Sequence, residues 1–208
     1  MKSSLLFILF VMALPAIAQK SSSFKELSSL KKEGLDFEIK LRTGTTQSLV
    51  MAIHGGTIEP GTSELAVATA GEKHSYYSFT GLVDDYVGLH LTSTEFDEPR
   101  LLVLIQQAQN CLGLHGLKDD QIDFCIGGAN AEKRKSYLKL LSEKFPKWRT
   151  CELCCPPNLG TSSKNIVNKC QFSGVQIEMG SSLRLELKQN PAFMKELSTL
   201  LSLELDKK

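Results

Sequence analysis

The sequence holds a small set of residues whose types and spacing suit metal-assisted hydrolysis: His54, Glu59, His115 and Glu178. A run of strand formers, Leu49-Val50-Met51-Ala52-Ile53, ends abruptly at His54. Gly55 and Gly56 follow, then Glu59, then Pro60-Gly61 and a helix-opening Thr62-Ser63-Glu64. A buried strand would deliver His54 to a sheet edge, and the flexible turn would fold Glu59 back beside it. A neutral imidazole and a carboxylate are both good Zn²⁺ ligands. The alternative is a tight turn with an ordinary surface glutamate. A second strand, Cys111-Leu112-Gly113-Leu114, also ends at a His-Gly pair, His115-Gly116. A third, Gly174–Met179, presents Glu178 near its end. Two histidines and one carboxylate leave a fourth zinc position open for water. A further glutamate could act as general base while metal-activated water attacks a carbonyl.

The elements that must position these groups alternate between strand and helix patterns, which argues for an α/β sheet covered by helices. Phe37–Arg42 alternates as a half-exposed edge strand, and 48–54 is apolar enough to be buried on both faces. Ser75–Leu82 and Val87–Thr92 read as strands, the latter containing His90. A helix starts at Asp97 and Pro99 and runs to about 109, and Gln121–Ile126 reads as a strand. Asn130 caps a charged helix over 131–145. A short amphipathic helix ends at Gly34, residues 165–170 are ambiguous, and Pro191 starts a C-terminal amphipathic helix. Active sites in such sheets gather at strand ends.

The chain has 208 residues and ordinary composition, 42% hydrophobic and 23% charged, with net charge +1. That favours one domain and gives no bulk-charge argument for nucleic acid or a membrane surface. Lys2, the apolar run Leu5–Leu14, Pro15 and Ala16-Ile17-Ala18 read as a secretory signal peptide over 1–18, with the domain over 19–208. Removing it takes Lys2 and no acid, so the mature chain is electroneutral. Six cysteines in an exported chain point to disulfides. Four lie between 151 and 170, and a structural zinc site from Cys151, Cys154 and Cys170 is the sharper alternative.

These pieces together resemble the poly-γ-glutamate hydrolase family of phage-type zinc hydrolases. The resemblance rests on Ile53-His54-Gly55-Gly56-Thr57-Ile58-Glu59-Pro60-Gly61-Thr62, Tyr77-Ser78-Phe79-Thr80-Gly81, Leu89-His90-Leu91-Thr92, Leu114-His115-Gly116, Asn165-Ile166-Val167-Asn168 and Gly174-Val175-Gln176-Ile177-Glu178. It implies a three-layer α/β/α, zinc-carboxypeptidase-like mixed sheet. It implies zinc on His54, Glu59 and His115, with Glu178 as catalytic base. Arg184 is then expected to meet a substrate carboxylate or a developing oxyanion. His90 and Asn168 are expected to orient site groups or substrate. Lys169 stands where an arginine is expected, the segment after His115 lacks a small-residue run, and the cysteine-rich segment departs from compact phage members. The implied activity is secreted, zinc-dependent cleavage of γ-glutamyl amides by a monomer. The alternatives are an amidase or peptidase acting on another acyl-amino-acid or cell-wall amide, and a non-catalytic secreted binding protein.

Overall fold

A computed structural model describes residues 20–118 and 121–207. The expected signal peptide lies outside the described residues. Among the described residues, seven strands form one mixed sheet: β1 (Phe37–Arg42), β2 (Ser48–Gly56), β3 (Ser75–Gly81), β4 (Asn110–Gly116), β5 (Phe124–Gly128), β6 (Thr150–Glu152) and β7 (Gly174–Met179). Their order across the sheet is β1-β3-β2-β4-β7-β5-β6. β3, β2, β4 and β7 run parallel, and β1 and β5 pair antiparallel to β3 and β7. β1 is an edge strand, as its alternation predicts.

Helices cover both faces, giving three α/β/α layers. α1 spans Phe24–Leu30, α2 Thr62–Ala70, α3 Tyr86–Leu89, α4 Pro99–Gln106, α5 Ala131–Lys144, α6 Ser181–Gln189 and α7 Pro191–Asp206. The period-2 geometry of strands sorts side chains between the layers. Val50 and Ala52 of β2 join Leu112, Leu114, Val175 and Ile177 under Leu65 of α2, Leu141 of α5, Leu183 of α6 and Leu197 of α7. Leu49, Met51 and Ile53 face the opposite way, onto Leu27 of α1 and Leu101 and Ile105 of α4. Full burial of each such side chain stabilises the fold by about 1.5–3 kcal/mol before entropy is counted. Among the described residues no helix is long and apolar enough to cross a membrane.

Four local expectations need correction. Val87–Thr92 is not a strand: Asp85 accepts a hydrogen bond from the Gly88 N–H and caps the short helix α3, leaving His90 just past its end. Such a side-chain cap outcompetes the β-propensity of Val87. The helix expected to end at Gly34 stops at Leu30, and α4 ends at Gln106 rather than 109. β5 starts at Phe124, three residues later than its apolar pattern suggests. The ambiguous 165–170 segment holds a short 3-10 helix over Ile166–Lys169, capped by the Asn165 side chain.

Candidate metal centre

Parallel strands β2, β4 and β7 deliver His54, His115 and Glu178 to one end of the sheet. His115 and Glu178 are register partners, so they share a face. His54 reaches them because the β2–β3 register shifts between Ala52 and Gly55. Such an irregularity re-aims side chains. The turn after β2 then closes on itself. Gly56 takes φ +66°, a left-handed conformation that glycine adopts without strain. The Glu59 N–H donates to the His54 carbonyl at 2.8 Å, and the Thr62 hydroxyl donates to the Glu59 carbonyl at 2.9 Å. The turn thereby returns the Glu59 carboxylate to the histidines.

His54, Glu59 and His115 are all buried. His54 Nδ1 lies 3.2 Å from Glu59 Oε1 and 3.3 Å from His115 Nδ1, and His115 Nδ1 lies 3.6 Å from Glu59 Oε2. Ligand atoms held about 2.0–2.2 Å from one tetrahedral zinc stand about 3.3–3.6 Å apart, so the donor set fits the ion. The tautomer fits too. His54 Nε2 donates to the Leu91 carbonyl at 2.8 Å, which turns the Nδ1 lone pair toward the other two donors. Two facing Nδ1 atoms repel unless a cation or proton sits between them. The fit therefore rests on donor chemistry as well as distance.

The electrostatics agree. Burial pushes the Glu59 carboxyl up, but the charges and hydrogen bonds of His54 and His115 outweigh it and hold Glu59 well below the usual carboxylate range. Burial opposes protonation of His115, yet Glu178 and Glu59 raise its pKa overall. Burial moves Glu178 up from its ordinary 4.5 to about 7, aided by Glu59 and opposed by His115 and Arg184. Burial and the neighbouring His54 push His90 down to about 3. His90 stacks on His54 with ring centroids 4.0 Å apart, and Tyr86 stacks on His90 at 4.8 Å.

These groups line a pocket of about 720 Å³ whose other walls include Tyr86, Lys118, Cys155 and Asn158. A groove of about 810 Å³ lies elsewhere, beside Ser48 and Asn110 at the opposite ends of β2 and β4. Its position is the wrong one for chemistry in an α/β sheet, where sites form at the carboxyl ends of strands.

Sequence reasoning missed Gln176. Its Nε2 donates to Glu178 Oε1 at 2.9 Å and to the Asn158 carbonyl at 3.1 Å, and its Oε1 accepts from Asn165 at 2.9 Å. The available signal was its position two residues before Glu178 on one strand, which puts both on one face. Asn168, expected near the site, instead bonds backbone: it donates to the Gly160 and Ser162 carbonyls and accepts from the Ala129 N–H. It holds the loop that precedes the 3-10 helix.

Arg184, expected to meet a substrate carboxylate or a developing oxyanion, has backbone carbonyls as partners in this structure. From α6 its guanidinium donates to the carbonyls of Pro60, Leu117 and Met179, tying the loops after β2, β4 and β7 together. Gly116 leaves room for it: a Cβ there would lie 2.7 Å from Arg184 Nε. Arg184→Ala removes these charged donors and is expected to cost about 2–4 kcal/mol of stability, read as a lower denaturant midpoint. An unchanged midpoint would remove the clamp.

The family model for poly-gamma-glutamate hydrolase matches residues 21–199. The chain belongs to the poly-gamma-glutamate hydrolase family. Two Bacillus subtilis (strain 168) proteins are similar in sequence. The SPbeta prophage-derived protein YoqZ is 33% identical over 88% of this chain, and YndL is 34% identical over 79%. The chain spans 66% of the length of YoqZ and 65% of that of YndL. The solved structure of a bacteriophage poly-gamma-glutamate hydrolase superposes with TM-score 0.81 at 25% identity, covering 89% of this chain and 96% of that one. Zinc-free YndL superposes with TM-score 0.81 at 28% identity, covering 91% of this chain and 98% of that one. Both solved structures share the fold of this chain.

Proposed function

We propose that this chain is a zinc-dependent hydrolase that cleaves γ-glutamyl amide bonds of poly-γ-glutamate. The observation that carries the reading is the convergence of His54 Nδ1, His115 Nδ1 and the Glu59 carboxylate beside buried Glu178, at separations that fit zinc. Family membership supports the substrate class. His54, Glu59 and His115 would hold the ion, leaving a position open to the pocket. Bound there, zinc would supply Lewis-acid activation of water and of the scissile carbonyl.

The chain's own residues do the rest. Glu178 takes a proton from the attacking water and returns it to the leaving amine nitrogen. Gln176 fixes one Glu178 oxygen, which orients the other. His54 keeps its ligand tautomer through Leu91. Every residue of a γ-linked polymer carries a free α-carboxylate. Lys118, 4.1 Å above the Tyr86 ring at the pocket wall, offers it a cation. Lys118→Ala is expected to raise KM about five-fold, on the order of 1 kcal/mol, with kcat nearly unchanged. Steady-state kinetics check this, and an equal fall in kcat would place Lys118 in the chemistry instead.

Secretion completes the reading: the signal peptide over 1–18 sends the domain to where an extracellular polymer is met, as a monomer. An electroneutral chain attracts a polyanion only through local cations, so KM should rise with ionic strength. The test of function is a matched pair of polymers. The zinc-loaded chain should release short products from γ-linked polyglutamate and none from α-linked polyglutamate. Cleavage of both, or of neither while a cell-wall γ-glutamyl amide is cut, would reassign the substrate.

A further inference from the structure

Beyond the His54 centre, a second group of metal-binding side chains converges on the same face of the sheet. His115 is paired with Glu178, Glu178 with Cys125, and Cys125 with Cys151. Register partners share a face, so one row crosses β4, β7, β5 and β6. At its far end Cys125, Cys151, Cys154 and Cys155 bring four sulfurs within 4.8 Å of one another. Cys170, which the sequence suggested as a ligand, is not among them: it is buried beside Cys111, near the start of β4. That corrects the Cys151, Cys154, Cys170 set.

We propose that Cys125, Cys151, Cys154 and Cys155 form a tetrathiolate site for zinc, separate from the His54 centre. Three observations carry it. First, Cys154 Sγ lies 3.6 Å from both Cys125 Sγ and Cys155 Sγ. Thiolates about 2.3 Å from a tetrahedral zinc stand about 3.8 Å apart. Second, Cys125 and Cys151 are register partners on β5 and β6, which sets two of the sulfurs side by side before the loop adds the others. Third, Leu153 between Cys151 and Cys154 takes φ +51°, a left-handed conformation costly for leucine. Its N–H is held by the Ile126 carbonyl at 3.0 Å. The turn therefore brings two strand-borne sulfurs and two loop-borne sulfurs together.

Cys151 and Cys154 are joined as a disulfide in this structure. A phosphine opens it to two thiols: it gives up two electrons and becomes the phosphine oxide, while water supplies the oxygen and the two protons. Four thiols then release four protons to solvent as they take up Zn²⁺. The site would pin residues 154–158, which wall the pocket and whose Asn158 carbonyl accepts from Gln176. Its role is to fix that wall, and its zinc does no chemistry on substrate.

The test uses the whole chain, reduced with a phosphine, stripped with chelator and reconstituted with cobalt(II). Wild type is expected to bind about two metal ions per chain and to show thiolate-to-cobalt charge-transfer bands. A His54→Ala, His115→Ala chain should keep the bands with about one ion, which separates this site from the proposed catalytic centre. Cys125→Ser with Cys155→Ser should lose the bands and keep about one ion at His54. Circular dichroism confirms that each chain is folded. Folded, reduced wild type without thiolate–cobalt bands would overturn the proposal. So would thiol mapping that finds all four cysteines locked in disulfides resistant to the phosphine.

Discussion

Glu178→Gln is expected to bind zinc as tightly as wild type and to turn over about 10²–10⁴-fold more slowly, the usual worth of a positioned general base. The geometry separates the two properties. Glu178 is a register neighbour of His115 but lies outside the three-donor set, so glutamine leaves the ligands in place. What is lost is the Glu178 carboxylate, whose pKa burial raises to about 7. A bound divalent cation beside it favours the carboxylate and lowers that value. The acid limb of kcat/KM should accordingly fall below about 7 in the zinc-loaded chain and vanish in the variant.

The same substitution has a stability signature in the metal-free chain. Glu178 has a folded pKa above its ordinary 4.5, so the folded state binds the proton more tightly. Its contribution is full below 4.5 and is lost as pH rises through about 7, a loss of about 3 kcal/mol at most. Glutamine cannot ionise and avoids that loss. Metal-free Glu178→Gln should therefore match wild type near pH 4.5 and exceed its denaturant midpoint at about pH 8. A variant equally or less stable at that higher pH would mean that Glu178 is not held ionised against its environment.

His115→Ala carries the other large effect: loss of zinc and, with it, of turnover. Outer contacts to a metal site are worth about 10–100-fold in affinity, and removing one of three protein ligands should exceed that. His90→Ala is the control. His90 Nε2 stands 3.8 Å from Glu59 Oε1 and stacks on His54, but belongs to no ligand set. It should keep zinc within that smaller range. Equal zinc loss in both variants would transfer His90 into the ligand shell and put the assignment of His115 in question.

The cluster of His54, Glu59 and His115 was legible because its signals are local. Strand, histidine, glycine is a short pattern, and it occurs at His54 and again at His115. The glycines show where a chain must turn sharply beside a ligand, and Gly56 does so. The sheet was legible for the same reason, since Leu49 to Ile53 cannot be anything but buried on both faces. The misreadings come where one polar side chain decides. Asp85 turned a run of β-formers into α3, and no apolar pattern reports that cap. The carbonyl partners of Arg184 were not legible because they lie in three loops far apart in sequence. Gln176 escaped notice because amides carry no motif. Its role exists only once Asn165 and Glu178 are placed on either side of it. The cysteines were counted correctly, but β5–β6 pairing brings Cys125 into the group and leaves Cys170 out.

The most direct test joins the metal to the reaction in one sample. Purified chain is stripped by chelator without reductant, so that the Cys151–Cys154 disulfide stays closed and the His54 centre alone is titrated, then refilled stepwise with zinc and assayed for products from γ-linked polyglutamate. Activity should be absent in the stripped protein and rise linearly to a plateau at about one zinc per chain. Full activity in the stripped chain, or none at one bound zinc, would contradict a zinc-dependent γ-glutamyl hydrolase built on His54, Glu59, His115 and Glu178.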